Sequence, residues 1–294
     1  MKPFLTTLLA TALLLASAAF AASEPRTFFV SPDGSDSADG LSAATAFATP
    51  QHAHDRTEPG DTVIFLPGEW TVTGGQALLD ISRSGTREAP ITYRAEEGAH
   101  VHFRNHGAWA GIRTHGASHI IIDGFHISGL GESIPIEEAR REMNNLNNPR
   151  TSGSGINIVS NLEKNLPSAH VWVKNNTIHD LGGGGIALVQ SSFTRITDNI
   201  VYRNSFFAPY ANSGISVYQP VSDGSEPDED GYTIRIERNV VFANYNRIPF
   251  VFSNQENPEE RTFTDGNGII LDDFNHNQTF FSAFPSHPPY GGRT

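Results

Sequence analysis

Five times along the chain a glycine stands directly before an isoleucine that opens a short run of alternating apolar residues. The pairs are Gly111-Ile112, Gly155-Ile156, Gly185-Ile186, Gly214-Ile215 and Gly268-Ile269. From the second onward the pattern sharpens to Gly-Ile-x-aliphatic, read as GINI, GIAL, GISV and GIIL. A second pattern interleaves with it. Residues 120–127 (IIIDGFHI), 171–178 (VWVKNNTI), 195–202 (RITDNIVY) and 235–242 (RIERNVVF) each place two alternating apolar residues before a polar or glycine corner, then resume with another apolar pair. In the last three the corner ends in an asparagine: Asn176, Asn199 and Asn239. Two short strands and a polar corner, recurring at intervals of roughly 20 to 50 residues, specify a β-solenoid, because one coil cannot bury its apolar side alone. Asparagines stacked at one corner predict side-chain amides bonded to one another and to the backbone along the stack.

The first 22 residues read as a leader rather than as part of the fold. Lys2 supplies a positive start, Phe4 to Phe20 is an apolar run rich in Leu and Ala, and Ala19-Phe20-Ala21 is a small-x-small cleavage site. The run is short for a membrane span. The expectation is therefore a signal peptide over 1–22, a single β-helix domain over 23–294, and a secreted or periplasmic location. Export usually brings disulfides, yet the chain has no cysteine. A stack of this length buries enough apolar surface without staples. The net charge of −12, from 32 acidic against 20 basic residues, argues against nucleic acid, whose phosphates require a basic footprint. An acidic chain still engages an acidic polymer through bound divalent cations.

Before the coils, residues 26–72 read as a strand, a Gly/Asp/Ser loop, a short helix around Pro50–Arg56, a turn and another strand. Such a helix is the cap that protects a solenoid's first edge from pairing with other chains. Three insertions interrupt the repeat: a polar, helix-compatible one over 131–152, an acidic one over 222–231, and one over 246–267. Insertions in repeat proteins map to loops, and loops gathered on one face build binding sites. After GIILDDF the sequence stops at Thr294 without a polar cap, which suggests a truncated chain or one whose last coil is covered by a partner.

The opening FFVSPDGSDSADGLSAATAFATPQHAHDRTEPGDTVIFLPGEW, followed by coils with an asparagine corner, resembles the secreted right-handed parallel β-helix proteins of the pectate-lyase-like superfamily. Within it, the opening most resembles the family 9 polysaccharide lyases. The resemblance covers essentially all of 23–294 and implies a right-handed all-β helix with an N-terminal capping helix. It implies a calcium-assisted β-elimination on a uronate polysaccharide, with a lysine as base.

Aligning the Gly-Ile strands predicts that Ile156/Ile158, Ile186/Leu188, Ile215/Val217 and Ile269/Leu271 point into the core. Arg113, Asn157, Ala187, Ser216 and Ile270 then stack outward. Beyond them run the columns His115, Val159, Val189, Tyr218, Asp272 and Gly116, Ser160, Gln190, Gln219, Asp273. The surface turns acidic toward the last coils, and Gln190, Tyr218 and Gln219 are the residues expected to bind sugar. Asp265, Asp272 and Asp273 supply the hard oxygen donors that Ca²⁺ takes; the alternative is a turn former and a solvated corner. For the base, Lys174 is the lysine on a repeat strand, and Arg247 and Arg261 lie in the insertion beside the acidic cluster. Lys174 also fits an exposed strand lysine that discourages edge pairing, and His179 and His276 are further proton carriers.

Two other readings stay open. Asp272-Asp273 also fits a fragment of the polygalacturonase-like hydrolases, whose inverting chemistry needs carboxylates roughly 6.5–9.5 Å apart; their downstream Gly-His-Gly and Arg-x-Lys motifs are absent. A non-catalytic carbohydrate-binding or surface β-helix shares the same fold. The expected partner is an acidic polysaccharide, not nucleic acid or membrane, and the chain is expected to be a monomer. No nucleotide loop, zinc-ligand spacing or Ser-His-Asp pattern stands out.

Overall fold

A computed structural model describes residues 24–210, 212–225, 231–249, 263 and 266–274. The leader expected over 1–22 lies outside these residues, as do Arg261, Asp265 and His276. Among the described residues, no helix is long and apolar enough to cross a membrane.

The strands stack into three parallel sheets, visited in turn by each coil. The first sheet runs through Thr27–Val30, Thr62–Phe65, Ile91–Ala95, Ser118–Asp123, Ala169–Lys174, Thr194–Thr197 and Ile234–Glu237. The second runs through Gly68–Val72, Val101–Asn105, His126–Ser128, Thr177–His179, Ile200–Tyr202 and Val240–Phe242. The third holds Ala77–Ile81, Ala110–His115, Ser154–Val159, Ile186–Val189, Ile215–Tyr218 and Ile269–Asp272. All five Gly-Ile strands belong to this third sheet, and their isoleucines pair in one register, Ile112 to Ile156, Ile186, Ile215 and Ile269. The first four are fully buried. Ile269, on the last described strand, keeps the register but is 45% exposed.

Glycine precedes the first four of these isoleucines for want of space; at Gly268, on the last described strand, a Cβ would meet only Val241 at 3.6 Å. A Cβ on Gly185 would sit 2.6 Å from the carbonyl oxygen of Gly214 on the next coil and against Val201 of the second sheet. One on Gly155 would meet the Gly185 oxygen at 2.6 Å and Ile178 at 2.5 Å. The second and third sheets close on each other there, and only a residue without a side chain lets the strand enter.

The asparagine corner forms as expected. Each corner puts a residue with positive φ (Asn175, Asp198 or Arg238) before the asparagine. Asn176 and Asn199 are buried at 1% and 0%. Asn176 Nδ2 donates to Asn199 Oδ1 at 3.0 Å, and Asn199 Nδ2 donates to Asn239 Oδ1 at 2.9 Å. One coil earlier the position is Phe125, whose N–H donates to Asn176 Oδ1. A second ladder, which the sequence pattern does not mark, follows the second sheet: Asn204 Nδ2 donates to Asn244 Oδ1 at 3.1 Å.

The capping helix spans Pro50–His54, with Thr49 accepting a bond from the His52 N–H and proline in the first turn. It packs against Thr27–Val30 and Ala77–Ile81 and buries Ala53 and His54. The 131–152 insertion folds as a 3₁₀ turn and two short helices, Ile136–Glu142 and Pro149–Ser152.

Candidate functional site

Three long connections enter the third sheet at the starts of its strands. They precede Ser154–Val159, Ile215–Tyr218 and Ile269–Asp272. Their apolar residues meet in a small second core, separate from the helix interior: Ile134 and Ala139 from the first, Phe206 and Phe207 from the second, Ile248 from the third. Tyr210 ties the second to the first through a 3.4 Å bond to the Ser152 carbonyl. At the other ends of the strands, the segments 160–168 and 219–225 carry the chain toward the first sheet. The exterior of the third sheet is thus a floor with longer connections at both ends of its strands. A floor of parallel strands bordered in this way suits an extended ligand lying along the helix axis.

On that floor the outward column runs Asp80, Arg113, Asn157, Ala187, Ser216 and Ile270, as the pairing register shows. Arg113 forks onto Asp80 at 2.8 and 2.6 Å and reaches Gln76 at 2.8 Å, a bidentate pair that holds the guanidinium still. Ser216 Oγ donates to Asn212 Oδ1 at 3.1 Å. The next column brings Val189, Tyr218 and Asp272 side by side. Burial first, then Asp273 and Asp272, pushes the Tyr218 hydroxyl up to about 12, so it keeps its proton at any ordinary pH.

Gln190 and Gln219 do not lie on the sugar-facing surface expected of them: each stands two positions after an inward aliphatic, Leu188 or Val217, and points inward with it. Gln190, Gln219 and Asp273 have positive φ, at 49°, 46° and 50°, where the chain turns out of the sheet. Gln190 and Gln219 are 5% and 2% exposed. Gln190 Nε2 donates to Gln219 Oε1 at 2.9 Å, and Gln219 Nε2 donates to Asp273 Oδ2 at 2.6 Å. They form a corner ladder beneath the floor's edge, and that ladder positions Asp273.

The candidate bases are scattered. Lys174 stands on the first sheet, 3.3 Å from Asp123 Oδ2 and 4.4 Å from the centre of the Trp172 ring. It faces outward, as alternation predicts, but on a different sheet from Tyr218 and Asp272. Arg247 lies among the connections, 3.4 Å from Glu132 and over the rings of Phe206 and Phe207. Arg261 lies outside the described residues.

Asp272 and Asp273 offer carboxylate oxygens at one strand end, the donor type that Ca²⁺ prefers. A carboxylate has about four lone-pair positions, and Gln219 takes one of those of Asp273. Two carboxylates supply the donor type but only part of the roughly six to eight oxygens that Ca²⁺ takes; the third expected donor, Asp265, lies outside the described residues.

A chain of parallel coils with buried asparagine corners and three parallel sheets is a β-helix. Residues 110–281 match the family described as right handed beta helix region, and the chain belongs to that family. No curated protein sequence matches the chain. Among solved structures it is similar to the pectate lyase Pel9A, with a TM-score of 0.52 and 16% identity over 85% of this chain and 60% of that one. An alginate lyase from Paenibacillus sp. str. FPU-7 aligns at a TM-score of 0.46 and 15% identity, over 84% of this chain and 64% of that one. The chain thus spans less than two thirds of the length of either lyase.

Proposed function

We propose that this chain is an exported, carbohydrate-active β-helix, akin to the family 9 polysaccharide lyases, which cleaves an acidic polysaccharide lying along the exterior of the third sheet. The observation that carries the reading is the column in which Tyr218 pairs with Asp272, beside the ladder-held Asp273 and on a floor bordered at both strand ends. A hydroxyl that keeps its proton suits donation to a departing glycosidic oxygen. In β-elimination a base removes the proton α to the uronate carboxylate, the C–O bond to the leaving sugar breaks, and that oxygen takes a proton; Tyr218 is assigned that donation.

A calcium ion held by Asp265, Asp272 and Asp273 would bind the uronate carboxylate and acidify the neighbouring C–H. The base is drawn from the remaining candidates, Arg261 in the third insertion, Arg247 or Lys174. Lys174 is the weakest of the three, since it stands on another sheet and is paired with Asp123. Gln190 and Gln219 serve by holding the corner from below.

The test is an absorbance assay for unsaturated uronate products across a panel of pectate, alginate and neutral glycans, with calcium and with chelator. Unsaturated product that needs calcium supports the reading. New reducing ends without unsaturation would indicate a hydrolase, and binding without cleavage a carbohydrate-binding β-helix.

A further inference from the structure

The exterior of the second sheet gathers histidines from successive coils. His102 and His126 occupy paired positions on Val101–Asn105 and His126–Ser128, and His100 stands just before the first of these strands. Their rings pack closely. His102 and His126 stack with centroids 4.3 Å apart and planes 10° from parallel, while His100 stands edge-on to both, at 5.4 and 4.8 Å. One nitrogen from each of the three lies within 4.8 Å of the others, and no other group of three such ligands occurs among the described residues. His179, on Thr177–His179, brings a fourth ring: its Nε2 faces His126 Nε2 at 2.5 Å.

Carboxylates fix the tautomers of two of these rings. A carboxylate accepts only, so His102 Nδ1–H donates to Glu69 Oε1 at 3.2 Å and His179 Nδ1–H donates to Asp180 Oδ2 at 2.7 Å. In the neutral rings both Nε2 atoms then carry lone pairs. That of His179 points at His126, and that of His102 accepts from Ser128 Oγ at 2.7 Å. Two facing imidazole nitrogens need a proton or a cation between them. Carboxylate–imidazole pairs of this kind are the outer partners that orient metal-bound histidines and raise their basicity. Stacking alone does not call for imidazole, because the same ladder continues through Tyr202 and Phe242.

We propose that His100, His102 and His126 bind one divalent transition-metal ion of the zinc type on the exterior of the second sheet, with His179 holding the outer side of His126. Imidazole donors select such ions over Ca²⁺, which takes oxygen ligands. Around tetrahedral zinc, with Zn–N of about 2.0–2.1 Å, nitrogens lie roughly 3.3 Å apart. Closing the 4.8 Å spread to that distance asks only for side-chain rotation, because the ligands stand on strands already spaced about 4.8 Å apart. The ion would join two successive coils and is distinct from any calcium at Asp272 and Asp273.

The full-length chain, stripped with chelator and dialysed into metal-free buffer at neutral pH, is titrated calorimetrically with Zn²⁺ alone. One ion per chain is expected, with a dissociation constant of about 1 μM or tighter. Zn²⁺ should raise the melting temperature where an equal concentration of Ca²⁺ does not act through this face. His126→Gln and the exposed-site variant His100→Gln should each weaken zinc binding by about tenfold or more, whereas His115→Gln on the third sheet should not. Circular dichroism checks folding, and His100→Gln carries the test if His126→Gln fails to fold. Zinc binding weaker than about 0.1 mM, or equal in the His100→Gln and His115→Gln chains, overturns the proposal and leaves a ring ladder without metal affinity.

Discussion

Asn199 and Asn239 are bound through their side chains: Asn199 Nδ2 donates to Asn239 Oδ1 at 2.9 Å, and that same oxygen accepts from the Asn199 backbone N–H. Asn199 Nδ2 also donates to the carbonyls of Val173 and Thr197, while its own Oδ1 accepts from the backbone and side chain of Asn176. One buried amide thus links three coils. Asn199→Ala leaves partners on both sides without their bonds and should cost about 2–3 kcal/mol. For a domain of this size that lowers the melting temperature by roughly 4–12 °C. Asn199→Asp keeps the acceptor but sets a buried anionic oxygen against the Val173, Thr197 and Asn239 oxygens, so it should cost at least as much as alanine. Thermal melts that leave both variants at the parent value would show that the ladder adds nothing to stability.

The Gly-Ile entry makes a separate prediction. Gly185→Ala places a methyl 2.6 Å from the Gly214 oxygen and against Val201, in a packed interior that cannot give way. A loss of about 1–3 kcal/mol is expected in denaturant unfolding. Gly74, where an added methyl would meet nothing within 4 Å, should accept alanine within about 0.5 kcal/mol. Equal effects at the two sites would refute the spatial account of the repeat.

These two features, glycine before the third sheet and asparagine after the first, are legible in the sequence because each recurs in a fixed relation to an apolar pair. The second ladder is equally present, as Arg203-Asn204 and Ala243-Asn244. It stays hidden because neither asparagine is followed by an apolar pair that would mark a corner. Gln190 and Gln219 fail as sugar contacts because each stands two positions after an inward aliphatic, Leu188 or Val217, and period two turns it inward as well. The histidine cluster has no local signature at all. Its members stand at positions 100, 102, 126 and 179, and only the stacking of coils brings them together. The Tyr218–Asp272 column, by contrast, follows directly from aligning the Gly-Ile strands, since both residues stand at the same offset from their glycine.

His54 couples the capping helix to pH. It is 1% exposed; its Nε2 accepts from the Ser82 N–H, so its Nδ1–H donates to the hydroxyl oxygen of the buried Tyr93 at 2.6 Å. Burial lowers its pKa from 6.5 to about 4, with Arg83 adding to the effect and Asp55 and Asp80 opposing it. The unfolded chain therefore binds a proton below about pH 6.5 that the folded chain refuses until about pH 4. Stability is full above that window and falls as pH drops through it, by up to about 3 kcal/mol. Urea unfolding at pH 7 and pH 5 measures the slope, and His54→Gln should flatten it. An unchanged slope in that variant would assign the acid sensitivity to other groups.

The last prediction separates the roles on the third sheet. Tyr218 and Asp272 share a column, yet one is a proton donor and the other a carboxylate. If the Tyr218 hydroxyl protonates the leaving oxygen, Tyr218→Phe should lower the turnover of unsaturated product by about 10²-fold or more with little change in KM. Its stability should hardly move, because the ring and its place in the register stay. Asp272→Asn should instead raise the calcium concentration needed for half-maximal activity, and excess calcium should restore part of the rate. Gln219→Ala acts through Asp273, whose carboxylate it holds at 2.6 Å, and should raise the calcium requirement in the same direction as Asp272→Asn. Lys174→Ala, on the first sheet and paired with Asp123, should leave turnover within about twofold, since surface ion pairs contribute little. Should Lys174→Ala abolish product formation while Tyr218→Phe does not, the polymer would run along the first sheet and the third-sheet site would be wrong.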